Sequence, residues 1–248
     1  MSAAPVDGCG CFPTGRHYAG IAHLLRTTVR GLVAEVAIDG DWGDLPIAML
    51  DVETTGKDAA NDRIVEIGIV RSVGGEIVGR KGWLINPGRA IPREASEVHK
   101  ITDEDVKDAP AFADIALAVV EFFAGHIPAA YNASFDRAFL WSEVERLNLP
   151  LAVDAPAFRK DVEWLDPLIW ARELQQGERS RALGDVVARL GIALENAHRA
   201  THDAEAALRV LLAFGRDVRV PRSYAAFVQE QRRLAMAQAD ARRSKWRG

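Results

Sequence analysis

The stretch "IAMLDVETTG" (residues 47–56) decides the fold, because it places two acidic residues near the end of an otherwise apolar strand. Side chains two positions apart in a strand point to the same face, so we expect Asp51 and Glu53 to lie side by side. Two carboxylates on a buried strand repel each other unless a cation or a shared proton relieves them. A hard divalent metal ion with oxygen ligands does this well. The alternative without a metal is a charged strand end that reaches solvent.

Strands and helices alternate after this stretch. The strand patterns are "IAMLDVE", "RIVEIGIVRS", "EIVGRKGWLIN" and "IPAAYN", with "VGG" as a hairpin turn between the second and the third. A fifth strand is expected just before Asp166, which with Pro167 is typical of a helix N-cap and first turn. Helical patterns cover residues 93–100, 103–107, 112–124, 134–149, 168–176, 182–190 and 202–214. This alternation predicts an α/β domain.

The two ends of the chain carry different patterns. Apolar residues near helical spacing predict an amphipathic helix over residues 15–38, followed by a linker of turn residues at 39–46. After "VPRSY" breaks the chain, a last helix is expected over 224–243. We therefore expect three parts: an N-terminal helical extension (1–45), the α/β domain (46–215) and a basic C-terminal helix (216–248).

The composition is that of an ordinary globular protein, with 248 residues, 48% of them hydrophobic and 27% charged. No run approaches the roughly 20 apolar residues that a membrane span needs. The first residues lack the pattern of a secretory signal, so a cytoplasmic location is expected. Cys9 and Cys11 are too close together for a structural disulfide, which is consistent with reduced thiols. Their spacing to His17 and His23 matches no familiar zinc site.

The charge of the chain is unevenly distributed. The formal net charge is −4, yet residues 216–248 contain nine Lys or Arg against three Asp or Glu. A basic tail on an acidic body is compatible with nucleic-acid contact by the tail. It is equally compatible with a solvated helix that carries arginine on its outer face.

Two further acidic stretches lie downstream. In "YNASFDRAFL" (131–140) a strand ends at Tyr131 or Asn132, and a helix begins that Asn132 or Ser134 could cap. Asp136 then lies in the first turn, where the helix dipole favours an acid even without any function. In "HRATHDAEAALRVLLAF" (198–214), a helix buries its alanine and leucine positions and places Asp203 at the core edge, where an acid needs a partner. Three acidic sites can thus converge on one central strand.

Four motifs occur in the order of a known family. The first is "DVETTG" together with the "DRIVEIGIV" that follows it, and the others are "VHKIT", "YNASFD" and "HRATHD". Together they resemble the 3′→5′ exonucleases with Asp-Glu-Asp-Asp-His active sites, the family of the proofreading epsilon subunit of bacterial replicative DNA polymerase. The resemblance covers residues 46–215, and four motifs in their expected strand and helix contexts are specific. It implies a ribonuclease H-like fold, a five-stranded mixed sheet with helices on both faces.

The resemblance also implies roles for the acidic residues. Asp51, Glu53 and Asp203 would hold one Mg²⁺ or Mn²⁺ ion, Asp51 would bridge to a second, and Asp136 would support that second site through water. Two ions about 4 Å apart can activate a water and stabilise the leaving 3′ oxygen.

A histidine would take the proton of that water. The family motif places it at His198. The helical pattern points His202 outward into solvent, so His202 is expected to be a bystander. His198 can reach the acids only from a loop before the helix.

Six further residues are candidates for substrate binding by the same resemblance. In the family, the turn of Thr54, Thr55 and Gly56 contacts the terminal nucleotide through backbone groups. A plain turn with Gly56 at positive φ is compatible with that role. His99 matches a position near the substrate, or is a favourable cation at a helix C-terminus. The remaining two are Asn132 and Phe135, of which Phe135 is a base-stacking wedge or, as we favour, a core residue.

The function that the resemblance implies is hydrolysis at DNA 3′ ends with release of 5′-mononucleotides, in DNA proofreading or repair. The same chemistry on RNA, as in oligoribonuclease and ribonuclease T, is an alternative, because discrimination depends on how the pocket meets the 2′-hydroxyl. A third possibility is a non-catalytic module that binds nucleic acid or a polymerase. The intact set of acidic residues argues against this possibility. The expected partner is a single-stranded 3′ end. A DNA polymerase and a second copy of the chain are further candidates, and no membrane partner is expected.

Overall fold

The computed structural model describes residues 29–147, 155–193 and 199–245. The strands are β1 (Ile47–Thr54), β2 (Ile64–Val73), β3 (Glu76–Leu84) and β4 (Ile127–Ala130). The helices are α1 (Arg93–His99), α2 (Asp103–Val106), α3 (Phe112–Phe123), α4 (Ala133–Leu147), α5 (Pro167–Leu174), α6 (Leu183–Leu190), α7 (Ala200–Phe214) and α8 (Tyr224–Lys245). Single 3₁₀ turns lie at Trp42–Asp44 and Pro156–Phe158. The helices predicted between residues 93 and 214 and the C-terminal helix are confirmed within a few residues of their bounds.

The sheet is mixed, with strand order β3-β2-β1-β4. Strand β1 is central, antiparallel to β2 and parallel to β4. Its first four residues, Ile47 to Leu50, are fully buried, as their apolar sequence predicts. The hairpin turn between β2 and β3 falls at Gly74 and Gly75, whose φ angles of 62° and 75° favour glycine.

The prediction of five strands is wrong for the described part of the chain, which has four. The strand expected ahead of α5 is reduced to one parallel bridge between Ala129 and Leu165. The residues that precede Ala129 and Leu165 do not extend this bridge into a ladder of strand hydrogen bonds. The N–H of Glu163 donates to the carbonyl of Gly31 at 2.8 Å instead, and Pro128 on β4 has no N–H to donate.

Helices cover both faces of the sheet. Leu50 and Val52 face one core cluster, which includes Phe112 and Phe123 of α3 and Phe139 of α4. Ile47 and Met49 face a second cluster, to which α5, α6, α7 and α8 contribute apolar residues. This alternation along β1 is the period-two pattern of a strand buried on both sides.

The N-terminal segment differs from its prediction. Residues 29–38 form turns rather than the end of an amphipathic helix, and residues 15–28 of that prediction lie outside the described residues. Gly31 has a φ of 95°, which a helix does not accommodate. The apolar residues are buried all the same, because they pack on α8. Val33 is fully buried, and its N–H donates to the Tyr224 hydroxyl at 3.2 Å.

The first half of α8 is part of the core. Tyr224, Phe227 and Val228 are fully buried, and the Phe227 ring lies 4.6 Å from that of Trp42 and 4.9 Å from that of Trp170. The described parts of both flanking segments therefore share the core of the α/β domain. The division at residues 45/46 and 215/216 remains a prediction.

No described helix is both long and apolar enough to cross a lipid bilayer.

Candidate active site

Three carboxylates meet at the carboxyl end of β1. Asp51 and Glu53 come from that strand and Asp203 from the first turn of α7. Each offers one carboxylate oxygen, and these oxygens all lie within 4.8 Å of one another. The structure therefore brings together residues that are about 150 positions apart in the sequence, as the convergence of acidic stretches predicts.

Two glycines let α7 approach the sheet closely enough for this. Gly68 on β2 pairs with Asp51, and a Cβ atom at Gly68 would collide with the peptide between Ala200 and Thr201. Gly82 lies opposite Gly68 on β3, and a Cβ there would collide with the Thr201 hydroxyl. The start of α7 thus lies directly on backbone, which brings Asp203 within reach of β1.

An ion pair between the buried Glu66 and the exposed Arg199 fixes the same helix end. Glu66, opposite Glu53 on β2, is 3% exposed. Its carboxylate accepts hydrogen bonds from Arg199 Nη2 at 2.8 Å, Arg199 Nε at 3.1 Å and the Ala200 N–H at 3.1 Å. Bidentate contact of this kind sets orientation as well as distance, so Glu66 holds the first turn of α7 in register with β2.

Repulsion outweighs attraction in the acidic cluster: of the charges that act on Glu53, Asp203 and Glu66 raise its pKa more than Arg199 lowers it. Burial raises the pKa of the Glu53 carboxyl from 4.5 to about 7, and the nearby carboxylates of Asp203 and Glu66 add to the shift. Burial also raises the pKa of Asp51 well above its usual range, and the charges of Asp136 and Asp203 raise it further. A divalent cation would relieve this repulsion, and an all-oxygen donor set suits a hard ion.

Asp136 lies beside this cluster but outside the group of three. It is 3% exposed in the first turn of α4, and its Oδ1 accepts the N–H of Val52 at 3.1 Å. Burial raises its pKa well above the usual range, although its backbone hydrogen bonds lower it. A favourable helix dipole does not by itself explain an acid that is buried against the backbone of β1.

The two candidate histidines, His198 and His202, lie on either side of the start of α7 in the sequence. His198 lies outside the described residues, and α7 begins at Ala200 with Arg199 as its N-cap. His202 is half-buried rather than solvated, so that prediction is wrong. Its Nδ1 is enclosed without a hydrogen-bond partner among the described residues, in a cavity that Arg80 and Leu190 also line. The edge strand β3 and the end of α6 cover a helix face that the sequence pattern assigns to solvent.

The turn after Glu53 is held by its own side chains. The Thr54 hydroxyl donates to the Gly56 carbonyl at 2.5 Å, and the Thr55 hydroxyl donates to Asp62 and accepts the Arg63 N–H. Gly56 is not among the glycines with positive φ, so the plain turn with that conformation is not what forms. A Cβ at Gly56 would meet the Asp62 carboxylate, so a larger residue requires the Asp62 side chain to move from its contact with Thr55.

The other candidate substrate residues lie around the cluster and not within it. His99 is 2% exposed in the last turn of α1, and its Nδ1 accepts the Ile101 N–H. Phe135 packs against Phe139 at 4.8 Å between ring centroids, as a core residue does. Asn132 is exposed at a φ of 73°, between β4 and α4. Their roles toward substrate remain predictions.

Sequence reasoning missed Glu66, Gly68 and Arg199. An isolated glycine within the strand pattern "VEIGIV" is a signal for close backbone approach, and it could have identified Gly68. An acid inside the same apolar run calls for a buried cationic partner. Nothing in the sequence indicates that this partner is Arg199.

The fold is similar to that of solved exonucleases. A structure of exonuclease X in complex with 5′ overhanging duplex DNA aligns over 73% of this chain and 98% of that one, with a TM-score of 0.56 and 24% identity. Escherichia coli exonuclease I in complex with a dT13 oligonucleotide aligns over 66% of this chain and 40% of that one, with a TM-score of 0.58 and 20% identity. At these identities the likeness shows the fold alone.

Sequence relatives include PolC-type DNA polymerase III proteins. A PolC-type DNA polymerase III of Thermotoga maritima is 33% identical over 195 residues, which are 79% of this chain and 14% of the relative. The protein of the same name from Streptococcus pyogenes serotype M18 is 31% identical over 218 residues, which are 84% of this chain and 14% of the relative. This chain therefore matches only a small part of each.

A family model described as RNase_T, exonuclease, matches residues 48–211, which is well over half of the chain and contains all four acids. The predicted resemblance to an exonuclease family is thereby confirmed. The chain belongs to the RNase_T exonuclease family.

Proposed function

We propose that this protein is a metal-dependent 3′→5′ exonuclease that hydrolyses phosphodiester bonds at DNA 3′ ends and releases 5′-mononucleotides. The observation that carries the proposal is the convergence of Asp51, Glu53 and Asp203 within 4.8 Å, in a chain of an exonuclease family. A protein that only binds nucleic acid has no need for clustered, partly buried carboxylates, which repel an anionic ligand.

The donor set fits divalent metal ions. Asp51, Glu53 and Asp203 would hold one Mg²⁺ or Mn²⁺ ion, and Asp51 with Asp136 would serve a second. Bound ions would supply the positive charge that admits a phosphodiester to an acidic site, activates water and stabilises the leaving oxygen. The raised pKa values of Glu53 and Asp51 support this assignment, because a cation is what their mutual repulsion lacks.

The remaining steps are assigned to the chain's own groups. His198 is the proposed general base and takes the proton of the attacking water. The backbone of Thr54–Gly56 is proposed to position the terminal nucleotide, and the hydrogen bonds of Thr54 and Thr55 keep that turn rigid. Glu66 and Arg199 act as positioning residues, since they fix the helix end that carries Asp203.

DNA is the preferred substrate in this proposal, because relatives are named DNA polymerase III and the neighbours include DNA complexes. The first alternative is that the protein is an exoribonuclease that acts on RNA. The second is that it is a non-catalytic module that binds nucleic acid or a polymerase. A polymerase partner is proposed on the same names. No comparison supports the candidate homodimer. The cytoplasmic location remains a prediction.

One assay tests the activity. A 5′-labelled single-stranded DNA, a mismatched primer-template and an RNA of the same sequence are digested in parallel with Mg²⁺, Mn²⁺ or EDTA. We expect 3′ shortening of DNA with 5′-mononucleotide products, and none in EDTA. Asp51→Asn should lose most of the activity, whereas Asp108→Asn, the same change at an exposed acid, should keep it. Cleavage in EDTA, or full activity of Asp51→Asn, contradicts the proposal. Faster digestion of RNA favours the exoribonuclease, and binding without cleavage favours the binding module.

A further inference from the structure

A cleft of about 430 Å³ lies between the start of α4 and the C-terminal half of α8. Its walls are formed by Ser134 and Arg137 of α4, Arg172 of α5, and Gln238 and Arg242 of α8, with Trp164 also in the lining. The cleft therefore exists only because α8 folds back along the α/β domain. It is separate from the three-carboxylate cluster.

The cleft carries unpaired positive charge. Within the described residues, none of Arg137, Arg172 and Arg242 forms an ion pair with a carboxylate. Arg172 and Arg242 lie near each other: burial lowers the pKa of Arg172, and the charge of Arg242 lowers it further. The charge of Asp166 offsets this only in part, because it raises the pKa of Arg172 less than burial and Arg242 lower it. Like charges held together in this way favour an anionic ligand.

The two acids in the lining are already engaged. The Asp166 carboxylate accepts the backbone N–H groups of Asn132, Ala133 and Leu168 at 2.8–3.1 Å. Glu163 lies 3.8 Å from Arg232, outside the group of three arginines. Neither acid forms an ion pair with these arginines, so the cleft keeps a cationic surface.

Two enclosed polar atoms of the lining have no hydrogen-bond partner among the described residues. Trp164 is 3% exposed and its Nε1–H has no acceptor. The Gln238 Oε1 has no donor, although its Nε2 donates to the Ile169 carbonyl at 2.9 Å. Buried polar groups are nearly always paired, so these two atoms leave the floor of the cleft polar and incompletely satisfied.

The cleft adjoins the active site. Ser134 in its wall is two residues before Asp136, and the Asp136 carboxylate accepts the N–H of Val52, which lies between Asp51 and Glu53 on β1. A strand whose 3′ end lies at the carboxylates can therefore continue past the first turn of α4 into the cleft.

We propose that this cleft binds the phosphodiester backbone of the single strand upstream of its 3′ end, with Arg172 and Arg242 as the phosphate contacts. Arg137 borders the cleft, but its guanidinium lies over the Trp141 ring and donates to the Lys160 carbonyl. The proposal rests on the proposed exonuclease function for the position of the 3′ end. In this proposal α8 binds substrate as part of a folded cleft that it forms with its neighbouring helices. It does not act as a loose basic tail.

The test measures binding in EDTA, where no hydrolysis is expected, by fluorescence anisotropy of a labelled deoxyoligonucleotide of about eight nucleotides. Arg242→Ala and Arg172→Gln should each weaken binding about tenfold and lower the salt slope by about 0.7, the value for one lost phosphate contact on a single strand. Arg243→Ala is the matched control, because Arg243 is next to Arg242 on the same helix but is paired with Asp240. It should stay within about twofold of wild type.

A dinucleotide gives the second arm. It has one phosphodiester and ends at the carboxylates, so this arm is measured with Mg²⁺ in the slow His198→Ala background, where its affinity should be the same with and without Arg242→Ala. Equal binding of the long strand by Arg242→Ala, Arg172→Gln and Arg243→Ala would overturn the proposal. The proposal would also be overturned if the arginine variants lost as much affinity for the dinucleotide as for the long strand. It would be overturned as well if they kept their affinity for the strand and lost affinity only for an acidic peptide. Arg242 is exposed near the end of α8, so its variant is expected to fold. If wild type hydrolyses no strand yet the arginine variants lose binding, the cleft stands and the proposed activity fails.

Discussion

Asp51 and Glu53 make the metal-free protein less stable than its core alone would allow. Their carboxylates are partly buried and lie beside Asp203 and Asp136, so like charges are held together where water screens them poorly. An active site can keep such repulsion because the ligand that relieves it is also the one that the chemistry needs. Stability and activity therefore respond in opposite directions to changes at single residues.

The first prediction concerns Asp51. Asp51→Asn should raise the melting temperature of the metal-free protein, because it removes one of the repelling charges, and should remove most of the nuclease activity. Differential scanning fluorimetry in EDTA, with Asp108→Asn as control, measures the first effect. A lower melting temperature for Asp51→Asn would show that this carboxylate stabilises the fold.

The second prediction concerns pH. The pKa of Glu53 is raised from 4.5 to about 7 in the folded protein, so the folded state binds this proton more tightly than the unfolded state does. Its contribution to stability is therefore present below pH 4.5 and is lost as the pH rises to about 7. In EDTA the free energy of unfolding should fall less over this range for Glu53→Gln than for wild type. Identical pH slopes in urea titrations would contradict the assignment.

The third prediction separates the two histidines. His198→Ala should lower turnover by roughly 10²-fold or more, as expected for a lost general base, with substrate binding nearly kept. His202→Ala should stay close to wild type in turnover, since His202 faces a cavity that Arg80 and Glu205 also line. Single-turnover rates at saturating substrate distinguish the two. The reverse pattern would exchange their roles, and equal modest losses would show that neither carries the proton.

At the scale of elements, the site depends on how closely α7 lies against the sheet. Asp203 reaches β1 because Gly68 and Gly82 present only backbone to the first turn of α7, and because Glu66 holds Arg199 and the Ala200 N–H. Each of these contacts joins two elements that are distant in sequence. The acids alone therefore do not make the site.

The fourth prediction tests this contact. Gly68→Ala adds a methyl group that collides with the Ala200–Thr201 peptide, so α7 must shift. We expect a loss of about 1–3 kcal/mol in the free energy of unfolding, as for overpacked cores, together with a large loss of activity. Gly184→Ala on α6 is the control, since a Cβ there meets no atom within 4 Å. Unchanged activity of Gly68→Ala would show that α7 tolerates displacement.

At the scale of the whole molecule, both flanking segments stabilise the core. Trp42 from the N-terminal side and Phe227 from α8 pack ring against ring, and Tyr224 binds the N–H of Val33. If residues 217–248 were a basic tail that only contacts nucleic acid, one of the two interpretations of the sequence, their removal would weaken nucleic-acid binding and leave turnover largely unchanged. Because the first half of α8 is buried, we expect that deletion to unfold the protein instead.

The fifth prediction measures this directly. Phe227→Ala should lower the free energy of unfolding by about 3–5 kcal/mol, the usual cost of removing a buried aromatic ring. Met236→Ala on the same helix is the control, because Met236 is 69% exposed. Urea denaturation followed by circular dichroism gives both values. A small loss for Phe227→Ala would mean that α8 is an appendage after all.

Local pattern determined much of this protein. The alternation of apolar and polar residues is a short-range property, so it gave the bounds of the main helices, the β2–β3 hairpin and the side-by-side placement of Asp51 and Glu53. The order of the four motifs indicated the family, which the match over residues 48–211 shows. What these features share is that neighbours in sequence suffice to specify them.

Only the tertiary structure decided the rest. The fifth strand fails to form because Gly31 takes the N–H of Glu163, and the helix predicted to end at residue 38 gives way to turns that pack on α8. His202 is half-buried because β3 and α6 reach over it. In each case, the competing partner comes from a distant part of the chain. Burial and hydrogen bonding to such partners outweigh local preference, and a sequence pattern read locally does not contain them.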